Sequence, residues 1–269
     1  MPISKRTRQF DLAQPSKMAF SFLKPKNSII FCFDYGGDST FSDFQEALSG
    51  ARKYYEPSRL SEIVSRLNSK THQGYLGVAL MAARVGVLDE VVPYLRDEQI
   101  PFTVFLHVDC IGLNRLPWAE ELAEYRNHYG SIVDTCLNQW DGSQGNPRAH
   151  LQKFVGPLPV EGLNPKSFFM TWGKLLQMDS KLWEPGMVLA SDFENSMDLV
   201  GKQRYFAAGQ LSQQPTIASV ETVVHHPQAL ETAGFTGAMG PLYGAINKKT
   251  NPYQLTKWEW NENQEKSKN

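Results

Sequence analysis

The sequence predicts an α/β protein built on a largely parallel sheet, either open or closed into a barrel. Short apolar or β-branched segments alternate along the chain with segments whose apolar residues recur at helical spacing. Most of the predicted strands also end in a polar side chain. With 269 residues, 41% of them hydrophobic, the chain suits one large domain better than two small ones.

Six segments are predicted as strands because they are short, apolar or β-branched, and bounded by turn residues. The first is "SIIFCFD", residues 28–34, which runs into a tyrosine and a glycine pair. The others, in chain order, are 102–109, 131–134, 186–192, 216–222 and 236–239. Because helical segments separate them, neighbouring strands are expected to pair in parallel.

Six further segments are predicted as helices from their apolar spacing and their end signals. In 86–99, for example, Val87, Val91 and Leu95 fall on one face. Segment 116–130 starts near a proline and stops at a glycine, which is the usual asymmetry of helix ends. The other predicted helices are 39–55, 57–70, 164–178 and 227–235.

Polar side chains recur at the ends of five predicted strands. In chain order they are Asp34, the pair His107 and Asp109, Asp134, Asp192 and Glu221. In α/β barrels the carboxyl ends of the strands carry the chemistry. Strands also meet solvent at these ends, so any one such residue has an ordinary explanation, but five in succession favour a shared polar mouth.

Composition and charge disfavour several classes of function. The 27 Lys and Arg against 28 Asp and Glu give a formal charge of −1, so nucleic acid is not expected as a partner. Three widely spaced cysteines fit buried thiols in a reducing compartment. The N-terminus carries no secretory signal, and the longest apolar stretch, 75–88, is too short to span a membrane. These features predict a cytoplasmic protein with no membrane span.

Several common catalytic signatures are missing from the chain. There is no GxGxxG after a strand, no GxxxxGK[ST], no GxSxG and no HExxH. The sequence therefore does not predict a dinucleotide enzyme, a P-loop NTPase, an α/β-hydrolase or a zincin.

Two stretches carry a resemblance to a known family. "IIFCFDYGG", followed by "YLRDEQIPFTVFL", resembles the opening of the polysaccharide deacetylase (NodB-homology, carbohydrate esterase 4-like) superfamily, in which a strand ends in T-F-D-D-G. "ALETAGFTGAM" and "GAINKKTNPYQLTKW" resemble its close. The resemblance covers residues 28–34, 86–138 and about 216–258, and it leaves 38–85 as an insertion.

The resemblance implies a fold and a domain organisation. The fold is a distorted (β/α)7-type barrel of mostly parallel strands, with an inserted helical segment after the first strand. Residues 28–260 form this single domain, after an N-terminal arm at 1–27 and before a disordered tail at 261–269.

The resemblance also implies roles for residues at matching positions. Asp34 falls on the family's general base, and Tyr35 falls on a carboxylate that binds the metal. The family's H-[ST]-x-x-H motif matches "DTCLN", so Asp134 and Asn138 stand where two histidines bind the metal. Zinc prefers imidazole, thiolate and carboxylate ligands. Three alternatives are open: the metal is lost, an oxygen-rich site holds a harder divalent cation, or the match is shifted.

Other polar residues are candidates from their position in the pattern. His107 and Asp109 lie two apart on a predicted strand and would point the same way, either as a catalytic or ligand pair or as ordinary strand-end residues. His226 opens a predicted helix and is either a second catalytic histidine or a surface cap.

Four residues are the candidates for binding a saccharide. Trp140, in the loop after "DTCLN", is the best stacking platform, although large aromatics also fill cores. Tyr35, Asp192 and Glu221 complete the predicted substrate contacts.

Two functions follow from the resemblance. The first is a hydrolase that removes an acyl group from a sugar during intracellular surface-polysaccharide (O-antigen-like) biosynthesis. The second is a catalytically altered deacetylase fold that binds saccharide without metal-dependent hydrolysis. A barrel with another chemistry at its mouth is the remaining alternative. The sequence does not name the sugar, the acyl group or the oligomeric state.

Overall fold

The computed structural model describes nine ranges of the chain. They are 27–34, 41–67, 74–81, 83–113, 116–140, 147–159, 169–189, 196–221 and 223–260, with the backbone alone for residues 34 and 258–260. Apart from residue 27, the predicted arm at 1–27 lies outside them, as does the predicted tail at 261–269.

The described ranges contain eight strands and nine α-helices. The strands are β1 (Ile29–Asp34), β2 (Glu56–Pro57), β3 (Tyr75–Met81), β4 (Phe102–Leu106), β5 (Trp183–Val188), β6 (Ile217–Ser219), β7 (Gly237–Tyr243) and β8 (Leu255–Trp260). The helices are α1 (Phe41–Arg52), α2 (Leu60–Arg66), α3 (Val85–Asp97), α4 (Trp118–Tyr129), α5 (Ile132–Asn138), α6 (Pro147–Val155), α7 (Trp172–Leu176), α8 (Met197–Leu211) and α9 (Pro227–Thr232). Four of the helices lie in succession between β4 and β5.

Seven of the strands close into a parallel barrel. The pairing runs β1–β3–β4–β5–β6–β7–β8 and returns to β1, because β1 pairs with β3 on one side and with β8 on the other. The two-residue β2 adds to the start of β3. The predicted (β/α)7-type barrel with parallel strands is therefore confirmed.

Strand β1 shows why the sequences of the barrel strands are almost continuously apolar. Its outward residues Ile29, Phe31 and Phe33 belong to the core between barrel and helices, and the rings of Phe33 and Phe44 lie 5.0 Å apart. Its inward residues Ile30 and Cys32 belong to the barrel interior. A strand that is buried on both faces needs apolar side chains at every position.

Helix α2 closes the amino end of the barrel. Leu60, Ile63 and Val64 pack with the interior side chains of the strands. A Cβ on Gly77 of β3 would lie 2.4 Å from Leu60 Cδ2, so the glycine makes room for the helix. The amino end is thereby filled by side chains, as is usual in barrels of this size.

The carboxylate of Glu184 fixes the start of α2 to the barrel wall. It accepts hydrogen bonds from the backbone N–H of Ser61 at 3.0 Å and from Thr103 Oγ1 at 2.7 Å, and from the Ser61 hydroxyl. Glu184 is buried, so these donors compensate the cost of removing its charge from water.

Helices α4, α5 and α6 form a small core of their own. Tyr125, Val133, Cys136 and Leu151 are its buried members. The predicted strand at 131–134 is wrong, because Ile132–Asn138 is helical and places Val133 and Cys136 on one face. Two apolar residues in succession do not distinguish a strand from a short helix.

Other differences from the predicted elements are local. The segment 38–85 contains its two predicted helices, but it also contains β3, which the sequence pattern did not reveal. Strand β8 and helices α6 and α8 were likewise missed. Of the predicted helix 164–178, residues 172–176 are helical and 161–168 lie outside the described residues. All three cysteines are buried and none forms a disulfide, as predicted.

None of the helices in the described ranges has the length and apolar character that crossing a membrane requires.

Gly186 tests the packing of the barrel wall. A Cβ there would lie 2.6 Å from the Phe105 ring and 3.1 Å from Thr103 Cγ2. We expect Gly186→Ala to lower the free energy of unfolding by about 1–3 kcal/mol through overpacking. Gly209→Ala in α8, where nothing lies within 4 Å, is the matched control and should stabilise by about 0.5–1 kcal/mol. Urea denaturation measures both, and an equal effect of the two substitutions would contradict the packing described.

Candidate functional site

A cavity of about 430 Å³ opens at the carboxyl ends of the barrel strands. Its apolar lining includes Met81 at the end of β3 and Val188 at the end of β5, which also pack on the barrel interior. Its polar and charged lining comprises Arg84, His107, Glu120, Ser219, Glu221, Tyr243 and Lys257. The cavity thus lies directly above the interior core, at the end of the barrel where α/β barrels place their sites.

Alternation along the strands brings side chains from distant parts of the chain to this cavity. Tyr75 and Ala79 of β3 point into the barrel interior, and Met81 continues their row into the cavity. Phe105 of β4 is interior, and His107 follows it by two residues. Because every second residue of a strand lies on the same face, the inward-facing residues at the carboxyl end of a strand line the cavity.

Arg84 is a buried cation in the cavity wall. It is 6% exposed, and its Nη2 donates to Glu120 Oε1. Its guanidinium lies 5.2 Å from the centre of the Phe169 ring, and the backbones of Arg84 and Phe169 form an antiparallel bridge. The ion pair and the aromatic contact hold the guanidinium in one orientation.

His107 is a partly buried imidazole beside the same aromatic ring. Its ring lies edge to face with Phe169 at 5.3 Å. Burial of the ring lowers the pKa of His107 to about 4; the Arg84 cation also lowers it, whereas the carboxylates of Asp109 and Glu120 oppose the shift. His107 is therefore neutral at neutral pH, and a neutral imidazole has one ring nitrogen that can donate a hydrogen bond and one that can accept.

The charged residues of the cavity differ in their exposure to solvent. Lys257 of β8 is 9% exposed and the Arg84 side chain is 8% exposed. The Glu120 side chain is 43% exposed, and Glu221 is also exposed. The two cations of the lining are therefore more buried than its two carboxylates.

The structure places several predicted site residues away from the cavity lining. Asp109 is exposed in the turn after β4, which ends at Leu106, so the prediction that Asp109 shares a strand with His107 is wrong. Asp134 is exposed on α5, where it accepts hydrogen bonds from Arg126 at 2.8 and 2.9 Å. Asn138 is exposed at the end of the same helix.

His226 and Trp140 are also not among the cavity-lining residues. His226 is exposed at the start of α9, where its carbonyl oxygen accepts from Ala229 N at 3.0 Å. Trp140 follows α5 and is partly buried, with its indole Nε1 enclosed. The structure thus gives His226 the position of a helix cap and does not bring Trp140 to the mouth.

Of the predicted residues, the structure brings His107 and Glu221 together in the cavity. The backbone of Asp34 ends β1, and its register partner is Met81, which lines the cavity. The Asp34 side chain, Tyr35 and Asp192 lie outside the described residues. Their roles as base and as substrate contacts stay predictions.

Sequence reasoning missed three charged residues of the cavity, Arg84, Glu120 and Lys257. A signal existed for Arg84, since it interrupts the apolar stretch 75–88. Lys257 lies in "LTKW" two residues after Leu255 and directly before Trp258, and a charge on a buried strand is costly unless it is paired. Nothing in the sequence around Glu120 distinguishes it from the other acidic residues of an exposed helix face.

The described residues do not fit a divalent metal centre. No group of three or more His, Cys, Asp and Glu side chains able to hold a metal ion occurs within the described ranges. In the cavity, His107 and Glu221 are donors of the right chemistry, and Glu120 is engaged by Arg84. Arg84 and Lys257, which also line the cavity, are cations and cannot ligate a metal. A metal would thus depend on side chains outside the described residues.

Comparison with known proteins rests on structure alone. No protein-family model matches the chain. No curated protein matches its sequence.

Solved structures of deacetylases are similar to this chain. The deacetylase domain of BpsB from Bordetella bronchiseptica superposes with a TM-score of 0.56 at 10% sequence identity, covering 88% of this chain and 97% of that domain. The Streptococcus pyogenes deacetylase PplD, in complex with acetate, gives 0.54 at 8% identity, covering 88% and 93%. IcaB from Ammonifex degensii gives 0.54 at 13% identity, covering 84% and 92%.

These likenesses define the class of fold. The barrel fold is shared with these solved deacetylases over 88% of this chain and over 93–97% of theirs. The resemblance to the polysaccharide deacetylase superfamily that the sequence shows is confirmed at the level of the fold.

Titration of His107 tests the burial of its ring. Because the pKa is lowered to about 4, the unfolded chain binds this proton more readily than the folded chain between about pH 6.5 and pH 4. The His107 contribution to stability is therefore constant above about pH 6.5 and falls as the pH drops to 4. NMR should show no His107 titration between pH 8 and 5.5, and His107→Gln should flatten the acid loss of stability. A titration midpoint at or above 6.5 would contradict the buried, neutral ring.

Proposed function

We propose that the protein is a hydrolase that removes an acyl group from a sugar. The observation that carries this proposal is the polar cavity with a neutral imidazole at the carboxyl mouth of a deacetylase-type (β/α)7 barrel. The acyl group we propose is acetyl, since the similar deacetylase PplD was solved with acetate bound. Acetate is the product that deacetylation leaves.

The reaction places a water molecule between the acyl carbonyl and a base at the mouth. Asp34, at the end of β1 and in register with Met81 of the cavity lining, is the proposed general base. Neutral His107 accepts a proton with one nitrogen and donates a hydrogen bond with the other, so it orients the water or relays the proton to the leaving nitrogen. The products are acetate and the sugar amine, or the sugar hydroxyl where the bond is an ester.

The substrate we propose is a saccharide of intracellular surface-polysaccharide biosynthesis. The family resemblance supports this setting. Tyr243 and Glu221, both exposed at the mouth, are positioned to contact the sugar ring and its hydroxyls.

A second function is favoured by the charges of the cavity. Arg84 and Lys257 are buried cations of the cavity lining, and no group of three or more metal-binding side chains occurs within the described ranges. This arrangement supports a deacetylase fold that binds saccharide without metal-dependent hydrolysis. The two functions differ in a single observable, the release of acetate.

Acetate release from N-acetylated and O-acetylated sugar oligomers tests the proposed hydrolysis. We expect turnover by the wild type, and a fall in kcat/KM of about 10²–10⁴ for Asp34→Asn and for His107→Gln, because each removes a proton-transfer group. Asp97→Asn is the matched control, since Asp97 is exposed at the carboxyl end of α3, and it should turn over normally.

The same experiment separates the two functions. Binding of the oligomers without acetate release would support the saccharide-binding function and reject hydrolysis. Full activity in Asp34→Asn would reject the role of Asp34 as base, whatever the metal content measured by mass spectrometry.

A further inference from the structure

Two residues beside the candidate site, Phe169 and Met170, connect the chain segments that follow β3 and β4. Phe169 forms an antiparallel bridge with Arg84, which follows β3. The N–H of Met170 donates to the carbonyl oxygen of Ala83 at 2.8 Å, and the Met170 carbonyl oxygen accepts from Gly112 N, beyond β4, at 3.1 Å. The backbone of this pair is therefore held against both segments.

The Phe169 ring contacts two polar residues of the cavity lining. The ring centre lies 5.2 Å from the guanidinium carbon of Arg84. It lies 5.3 Å from the centre of the His107 imidazole, and the two ring planes meet edge to face at 68°. Phe169 is 5% exposed and is not one of the cavity-lining residues. The phenyl ring thus lies behind the cavity wall and supports side chains that line the cavity.

The turn after β4 fixes the backbone of His107, and the Phe169 ring constrains its side chain. The His107 carbonyl oxygen accepts from Cys110 N at 2.8 Å and from Ile111 N at 3.3 Å. The torsion that rotates an imidazole about its Cβ–Cγ bond has only broad intrinsic preferences, so the packing around the ring decides it. The edge-to-face contact with Phe169 favours one orientation of the His107 ring.

The orientation of the His107 ring determines where it can exchange hydrogen bonds. A neutral imidazole donates from one nitrogen and accepts at the other. A half-turn about the Cβ–Cγ bond exchanges Nδ1 with Cδ2 and Nε2 with Cε1, so a carbon takes the place of each nitrogen. A side chain that fixes this torsion therefore fixes the positions at which His107 donates and accepts.

We propose that Phe169 is a positioning residue, whose ring fixes the orientation of the His107 imidazole at the cavity. Its effect on turnover rests on the proposed hydrolysis, whereas the contact between the two rings is measurable without a substrate. The alternative is that Phe169 only fills the core. Both roles predict a loss of stability when the ring is removed, but only the positioning role predicts a change at the imidazole.

NMR of the full-length chain tests the ring contact apart from turnover. The ring current of Phe169 should displace the Cδ2–H and Cε1–H resonances of His107, which His107→Gln identifies. Phe169→Leu should remove the displacement, and Phe169→Tyr, which keeps the ring, should retain it. Phe235→Leu is the matched control and should leave these resonances in place. Phe235 is 1% exposed and lies 5.5 Å from the Arg204 guanidinium carbon, but it precedes β7 at the amino end of the barrel.

Acetate release from acylated sugars tests the consequence for turnover. Phe169→Leu should lower kcat by about 10–10²-fold and leave KM nearly unchanged, because a misplaced proton-transfer group slows the chemistry more than it weakens binding. Phe169→Tyr should restore most of kcat, and Phe235→Leu should not change it. In a His107→Gln background, Phe169→Leu should have little further effect, because residues that act as a unit are not additive.

Several outcomes would overturn the proposal. One is the absence of nuclear Overhauser contacts between the protons of the two rings in the wild type, which needs no variant. Others are unmoved His107 resonances in Phe169→Leu, equal changes in Phe169→Leu and Phe235→Leu, and an equal loss of kcat with and without the His107 imidazole. The expected NMR pattern without acetate release by the wild type would uphold the positioning of His107 and reject the hydrolase function.

Discussion

The structure depends on the closure of the sheet at β1. That strand pairs with β3 through six residues and with β8 through three, and so joins strands from opposite ends of the chain. Closure gives every strand an inner and an outer face. Side chains on the inner face fill the barrel interior, and those on the outer face pack against the helices. At its carboxyl end, each strand directs the inner-face side chains into the cavity. Lys257 and Met81 lie in one cavity only because their strands flank β1. The order of the strands in the barrel therefore brings the charged residues of the cavity together, although they are far apart in the sequence.

Fold class was readable from the sequence because the periodicity of the buried strands is strong. β1 and β4 are continuous apolar runs, and both were predicted within a few residues. β3 contains Gly77 and continues through Met81 into another apolar segment, so its period is ambiguous, and α5 is too short to show a period at all. Where the local pattern is weak, tertiary packing decides, and in those places the predicted elements were missed or wrong.

The candidate site was less predictable than the fold for a physical reason. His107 and Glu221 were found because they lie at the ends of predicted strands. Asp109 and Asp134 also lie at the ends of predicted strands, yet a turn exposes the first and a helix exposes the second. Arg84 and Lys257 were missed because both are buried in the structure. Charged residues are usually exposed, so their burial cannot be predicted from the sequence.

Helix α2 fills the amino end of the barrel, and this determines how a ligand reaches and leaves the cavity. Leu60 and Ile63 occupy the interior, and Glu184 ties the start of that helix to the wall. The barrel interior is therefore closed by side chains at its amino end, and the cavity opens at the carboxyl end. Because α2 fills the amino end, a ligand of the cavity enters and leaves at the carboxyl end of the barrel, so a product must leave before the next substrate molecule can bind.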